Sequence, residues 1–108
     1  MKQDLLTPMP SGEAIAITSS ASSVSAKTVG QLLEDNGYAA KDFPTDIVVE
    51  LTATVNCHWT HAETPVVTSG NPLLTAWLTR QVRVNKEHKI AAISFADDGS
   101  LYIHPCLE

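Results

Sequence analysis

The sequence has few positive charges and no long apolar run. Its 108 residues include 7 Lys and Arg against 12 Asp and Glu, so the formal net charge is −5 and the pI is about 5.2. Binding to a phosphate backbone or to an anionic membrane surface depends on clustered cations, so both functions are disfavoured. No stretch approaches the roughly 18 apolar residues of a membrane-spanning helix, and Met1–Pro10 contain no apolar segment of a secretion signal. We therefore expect neither a nucleic-acid partner nor a membrane partner.

Cysteine is also scarce, since Cys57 and Cys106 are the two in the chain. Two cysteines are too few for a disulfide scaffold, and they fit a protein made in reducing cytoplasm. The simpler interpretation is two separate thiols that behave as small apolar side chains. The alternative is a Cys57–Cys106 disulfide, formed if adjacent strand ends carry the two residues and the protein is oxidised after release from the cytoplasm.

Glycine-rich loops and nucleophile motifs are absent. The five glycines are isolated, so no loop has the composition that cradles phosphate groups. No Gly-x-Ser-x-Gly sequence marks a catalytic serine. We therefore predict no enzyme and no cofactor.

A metal site would need ligands from two parts of the chain that are distant in sequence. The candidate ligands are Cys57, His58, His61, His104 and Cys106. Because neighbouring residues of a strand point to opposite faces, at most half of these side chains can face one point. We predict that they hold no metal; the alternative is a small metal-dependent β-barrel.

The most regular predicted element is a strand from Asp46 to Val55, in which apolar residues occupy every second position. That period places them on one buried face and predicts a strand in the centre of a sheet. Several shorter strand signals follow, separated by turn residues. One short helix is predicted after Thr28, because Thr28 and Gln31 form a capping-box pattern and Gly37 is a plausible stop.

We expect a mainly β fold, a small β-sandwich or barrel with one short helix and an extended N-terminal arm. Residues 1–27, rich in Ser, Thr and Pro, are predicted to be the arm, with one short strand at 14–18. Residues 28–108 are predicted to be the β-sandwich domain. A folded unit of about 80 residues buries a small core, which favours assembly with neighbouring subunits.

Four apolar residues are candidates for partner contacts. Ile15 and Ile17 lie in the predicted arm, whereas Trp59 and Trp77 lie among Thr, His and Leu residues. A tryptophan in such surroundings is suited to anchor a subunit contact. The alternative for both tryptophans is core filling, which we favour more for Trp77 than for Trp59.

Several short sequence motifs follow one another in the second half of the chain. They are T-A-T-V-N-C-H at 52–58, P-V-V-T at 65–68, N-P-L-L at 71–74, V-R-V at 82–84, K-I-A-A-I at 89–93 and G-S-L-Y-I at 99–103. Between Val48 and His104 this order resembles small virion structural proteins of tailed bacteriophages, of the capsid-decoration and head–tail-junction type. The chain departs from the pattern at His88, where such proteins commonly have glycine, and its first 45 residues have no counterpart. The resemblance implies a β-sandwich with a structural role and carries over no catalytic residues.

From this resemblance we expect a phage virion structural protein that is made in the host cytoplasm and located in the virion. The first expectation is a capsid decoration or cement subunit, a homo-oligomer that binds and stabilises the lattice of the major capsid protein. A neck, tail or fibre-associated subunit is the alternative within this class. A host-surface or carbohydrate-binding module, with Trp59 and the nearby histidines as its platform, is the alternative outside it.

Overall fold

The computed structural model describes residues 5–107, and most of its regular structure is β-strand. None of the helices among these residues has the length and the apolar run needed to cross a bilayer. In chain order the elements are β1 (Thr7–Pro8), β2 (Glu13–Ile17), β3 (Ser23–Val24), α1 (Val29–Asp35), a 3₁₀ turn (Ala40–Asp42), β4 (Asp46–Ala53), β5 (Cys57–Ala62), β6 (Leu73–Leu74), β7 (Arg80–Asn85), β8 (Lys89–Ser94) and β9 (Gly99–Leu107).

These strands form two antiparallel sheets. In the first sheet, β9 lies between β4 and the N-terminal strands β1 and β2, and β7 pairs with the other edge of β4. The order in the second sheet is β3, β8, β5, β6. Apolar side chains from both sheets and from α1 fill one core. The predicted mainly β fold with one short helix is therefore confirmed.

Strand β4 follows the predicted alternation. Its core-facing side chains are Ile47, Val49, Leu51 and Ala53, all of them buried. Glu50 and Thr52 point to the other face and are half-buried. Because β4 pairs with β9 on one side and with β7 on the other, its predicted central position is confirmed.

Helix α1 begins with the predicted capping box. The Thr28 hydroxyl accepts the backbone N–H of Gln31 at 3.2 Å, and Oε1 of Gln31 accepts the N–H of Thr28 at 2.7 Å. These bonds satisfy N–H groups that have no partner inside the helix. After the C-cap residue Asn36, Gly37 has φ 87°, which only glycine adopts without steric cost, and the chain leaves the helix axis there.

The N-terminal strands belong to the sandwich, which corrects the predicted division into an arm at 1–27 and a domain at 28–108. The short strand predicted at 14–18 exists as β2, and it pairs with Gly99–Ile103 of β9. Strand β3 pairs with β8 in the second sheet. The pairing satisfies backbone N–H and C=O groups at the edge of β9, a contribution that composition does not reveal. Residues 1–4 of the predicted arm lie outside the described residues.

The side chains of this segment complete the core. Met9, Ile15 and Ile17 are buried and pack with residues of both sheets. The prediction of Ile15 and Ile17 as partner contacts is therefore wrong, because the sandwich itself covers them. At Gly12 the chain passes so close to β9 that a Cβ atom would overlap the carbonyl oxygen of Ile103.

Candidate functional site

The connection between β6 and β7 contains the one non-glycine residue, within 5–107, that has a left-handed backbone. Trp77 has φ 64°, a conformation that costs an L-residue with a side chain about 1–2 kcal/mol. Glycine or asparagine usually occupies such positions. Bulky residues there are outliers, and outliers of this kind cluster at functional sites.

Hydrogen bonds to neighbouring segments hold this turn in place. The N–H of Trp77 donates to the carbonyl of Ala53 at 2.7 Å, at the end of β4. Oδ1 of Asn56 accepts the N–H of Ala76 at 2.8 Å, and Leu78 N–H donates to the Thr75 carbonyl at 3.2 Å. Because the backbone is fixed on both sides of Trp77, the strain is maintained by the surrounding structure.

The fixed backbone directs the indole of Trp77 away from the protein, so that 70% of the residue is exposed. The preference for Trp77 as a core residue is therefore wrong, and its role as a candidate contact residue stays a prediction. Three other large apolar side chains are exposed around it. These three residues are Leu73, Leu78 and Phe95. We call them, together with Trp77, the Trp77 patch.

Contacts through β5 connect two members of the patch, Leu73 and Phe95. His58 of β5 is paired across the sheet with Leu73. The Phe95 ring meets the His58 ring edge to face, with 4.7 Å between centroids, and His58 Nδ1 is 2.9 Å from the carbonyl of Asn71. Phe95 also shares a shallow cavity of about 250 Å³ with Ala76, the residue next to Trp77. Leu73 and Phe95 therefore lie beside His58, and Phe95 lies across a shallow cavity from the turn that carries Trp77.

Charged groups border the patch on two sides. Asp97 and Asp98 follow Phe95 in the exposed turn between β8 and β9. On the other side, the exposed Arg80 donates from its guanidinium to the carbonyl of Leu73 at 3.3 Å. An apolar centre with a charged, solvent-accessible border is the usual composition of a protein-binding surface.

Trp59 lies in the core, contrary to its prediction as a contact residue or as a carbohydrate platform. It is 6% exposed, and its indole stacks on the ring of His61 with 5.9 Å between centroids. The cause is the two-residue period of β5, in which Cys57 and Trp59 face inward while His58 faces outward. The same period in the sequence could have distinguished the two tryptophans.

The five candidate metal ligands are divided between the two sheets. Cys57, His58 and His61 lie on β5 of the second sheet, whereas His104 and Cys106 lie on β9 of the first sheet. His104 Nδ1 is 3.0 Å from the carbonyl of Met9. Across residues 5–107, no three His, Cys, Asp or Glu side chains are placed to hold a metal ion together.

The two cysteines are buried, free thiols. This confirms the interpretation as separate thiols, and the alternative Cys57–Cys106 disulfide is not formed. Burial raises the pKa of each thiol to about 11, and the charge of Glu50 contributes at Cys106. Such thiols are poor nucleophiles and poor metal ligands near neutral pH.

In comparisons with protein-family models, curated proteins and solved structures, no match to this chain was found. The function is therefore argued from the geometry of the Trp77 patch and from the sequence.

Proposed function

We propose that this protein is a non-enzymatic structural subunit of a tailed-bacteriophage virion, and that the Trp77 patch binds it to a protein lattice. The position we propose is on the capsid, where several copies decorate and stabilise the lattice of the major capsid protein. The resemblance of residues 48–104 to small phage virion proteins supports the class of particle. The sandwich fold is compatible with that class.

The observation that carries the proposal is the exposed, left-handed Trp77. A strained backbone that presents an indole to solvent brings no advantage to the isolated domain. Burying the exposed seven-tenths of a surface of about 250 Å² would remove roughly 175 Å² from water, an upper limit of about 4 kcal/mol at ~25 cal/mol per Å². A gain of this size is typical of a tryptophan at the centre of a protein interface.

The borders of the patch limit the kind of surface that fits it. The partner surface that fits has an apolar pocket for Trp77 and Leu78. Next to that pocket it has cations, which pair with Asp97 and Asp98. A partner that places acidic groups opposite Asp97 and Asp98 is disfavoured, because like charges brought together across an interface repel each other, whereas acidic groups suit the side that carries Arg80. A protein lattice repeats such a pocket many times, so a modest affinity per copy suffices for full occupancy.

Co-sedimentation tests the proposal directly. The purified protein is mixed separately with capsids and with tails assembled from proteins encoded in the same genome. We expect binding to capsids, and we expect Trp77→Ala to weaken it by at least about thirtyfold, which corresponds to ~2 kcal/mol. Val66→Ala is the matched control, because Val66 is an exposed apolar residue that lies outside the patch. Its binding should equal that of the unmodified protein.

Other outcomes distinguish the alternatives. Binding to tails but not to capsids would favour the neck, tail or fibre-associated subunit. Glycans that quench the fluorescence of Trp77, without any binding to particles, would favour the carbohydrate-binding module. A strictly monomeric protein with no affinity for either particle would overturn the proposal, as would equal losses from the substitutions at Trp77 and Val66.

A further inference from the structure

Two histidines meet at the end of the sandwich opposite the Trp77 patch. His61 lies near the end of β5, and His88 lies in the turn between β7 and β8. Their Nδ1 atoms are 2.9 Å apart, and their ring centroids are 5.1 Å apart with 38° between the ring planes. The indole of Trp59 also stacks on the ring of His61. We call His61 and His88 the histidine pair.

The bond between the two rings sets a limit on how many protons the pair can hold. One Nδ1 must donate its hydrogen and the other must accept it with a lone pair. A neutral pair meets this condition, and so does a pair in which one ring is an imidazolium. A second added proton places a hydrogen on both Nδ1 atoms, which removes the acceptor and sets two positive charges side by side. The bond cannot survive that step.

The β7–β8 turn, which carries His88, is hydrogen-bonded to helix α1. The backbone carbonyl of His88 accepts the N–H of Val29 at 3.1 Å, and the carbonyl of Lys86 accepts the N–H of Gly30 at 2.6 Å. Lys86 Nζ also donates to the carbonyls of Ala40 and Phe43, each at 2.8 Å. The first turn of the helix and the 3₁₀ segment therefore depend on where the β7–β8 turn lies.

The charged groups near the pair are of both signs. Burial lowers the pKa of His61, the charge of His88 lowers it further, and Asp46 at the start of β4 opposes part of this shift. Glu63 follows β5, and Glu87 and Lys89 flank His88 in the sequence. Lys86 adds a positive charge in the same turn, and two imidazolium rings side by side would repel each other.

We infer that the histidine pair is a pH-sensitive latch, which holds the β7–β8 turn against α1 near neutral pH and releases it when both rings are protonated. Release frees the helix N-terminus and widens the adjacent groove of about 880 Å³, which is lined by the helix, the 3₁₀ segment and this turn. The change takes place on the acidic side of the ordinary histidine range. It does not depend on the proposed virion partner.

Amide hydrogen exchange of the full-length protein between pH 7.5 and pH 5.0 tests the latch. The readout is the protection of the Val29 and Gly30 amides, divided by that of the Trp77 amide, which is bonded to Ala53 at the opposite end of the sandwich. Expressing protection relative to the intrinsic exchange rate removes the direct effect of pH. One additional bound proton changes an opening equilibrium by up to about tenfold per pH unit, so we expect the ratio to fall by tenfold or more.

Two variants make the test specific. His61→Gln keeps a side chain that donates and accepts hydrogen bonds but does not titrate, so its ratio should stay constant across the pH range. His104→Gln, on β9 with Nδ1 of the native residue 3.0 Å from the carbonyl of Met9, is the matched control and should lose protection as the unmodified protein does. If His61→Gln does not fold, His88→Gln takes its place. A constant ratio in the unmodified protein, or an equal fall in the non-titrating variant, would overturn the inference.

Discussion

Trp77→Gly and Trp77→Ala separate the strain at position 77 from the contacts of the indole. Both substitutions remove the ring, so the loss of its contacts is common to the two proteins. Alanine keeps a Cβ atom on the left-handed backbone, whereas glycine removes it. The two variants therefore differ in backbone strain and in the conformational entropy of the unfolded chain.

The expected difference follows from these two quantities. Removing the Cβ atom at φ 64° releases about 1–2 kcal/mol. The greater freedom of glycine in the unfolded chain returns about 0.5–1 kcal/mol of that. We therefore expect Trp77→Gly to be more stable than Trp77→Ala by about 0.5–1 kcal/mol, or about 2–6 °C in Tm for a chain of this length.

Urea and thermal unfolding, followed by circular dichroism, measure the difference. Ala16→Gly is the control, because Ala16 is an exposed position of β2, where glycine should lower the stability by about 0.5–1 kcal/mol. Both variants at position 77 should bind capsids at least about thirtyfold more weakly than the unmodified protein, so the stability gained with glycine would accompany a loss of affinity. If the alanine variant equals or exceeds the glycine variant in stability, position 77 carries no left-handed strain and the main support for the functional site is lost.

Three further predictions concern the fold. Gly12→Ala should lower the free energy of unfolding by about 1–3 kcal/mol in urea titrations, because its methyl group overlaps the Ile103 carbonyl. Gly70→Ala should change it little, because a Cβ atom there would be at an ordinary contact distance of 3.7 Å from Thr68 Oγ1. Thr28→Ala removes the helix cap and should cost about 1 kcal/mol, with a loss of helical signal in circular dichroism. Because burial raises the pKa of both thiols to about 11, the unfolded chain loses these protons first, and stability should fall as pH rises from about 8.5 towards 11. A protein with alanine at both positions should lack that part of the fall in alkaline urea titrations.

Local regularities made much of the fold predictable from the sequence. The nine-residue alternation in and around β4 identifies both the strand and its buried face, because one face of a central strand always packs against the core. The capping box at Thr28 is equally local, since both of its hydrogen bonds lie within four residues. Patterns of this kind need no knowledge of distant partners.

The N-terminal segment and the tryptophans show where such patterns fail. The pairing of β2 joins residues about 86 apart, and nothing near β2 in the sequence reveals that β9 has an edge to receive it. Trp77 is exposed because bonds from Ala53 and Asn56 impose its backbone conformation. Its own neighbours, Leu74 and Leu78, match an apolar pattern and suggest burial instead. In both cases the deciding contacts are distant in sequence.

Strand β9 also determines when the first sheet can be completed. It is the last strand of the described chain, yet β1, β2 and β4 all need it as their hydrogen-bonding partner. The Thr7↔Leu107 pair closes a loop of 100 residues, and long-range closures of this kind slow folding because the chain must lose entropy before it gains contacts. During synthesis on the ribosome, β2 and β4 emerge well before β9. The edges of β2 and β4 that pair with β9 remain unpaired until β9 emerges. The first sheet therefore completes only after β9 has left the ribosome, and until then a second nascent chain could supply the missing strand.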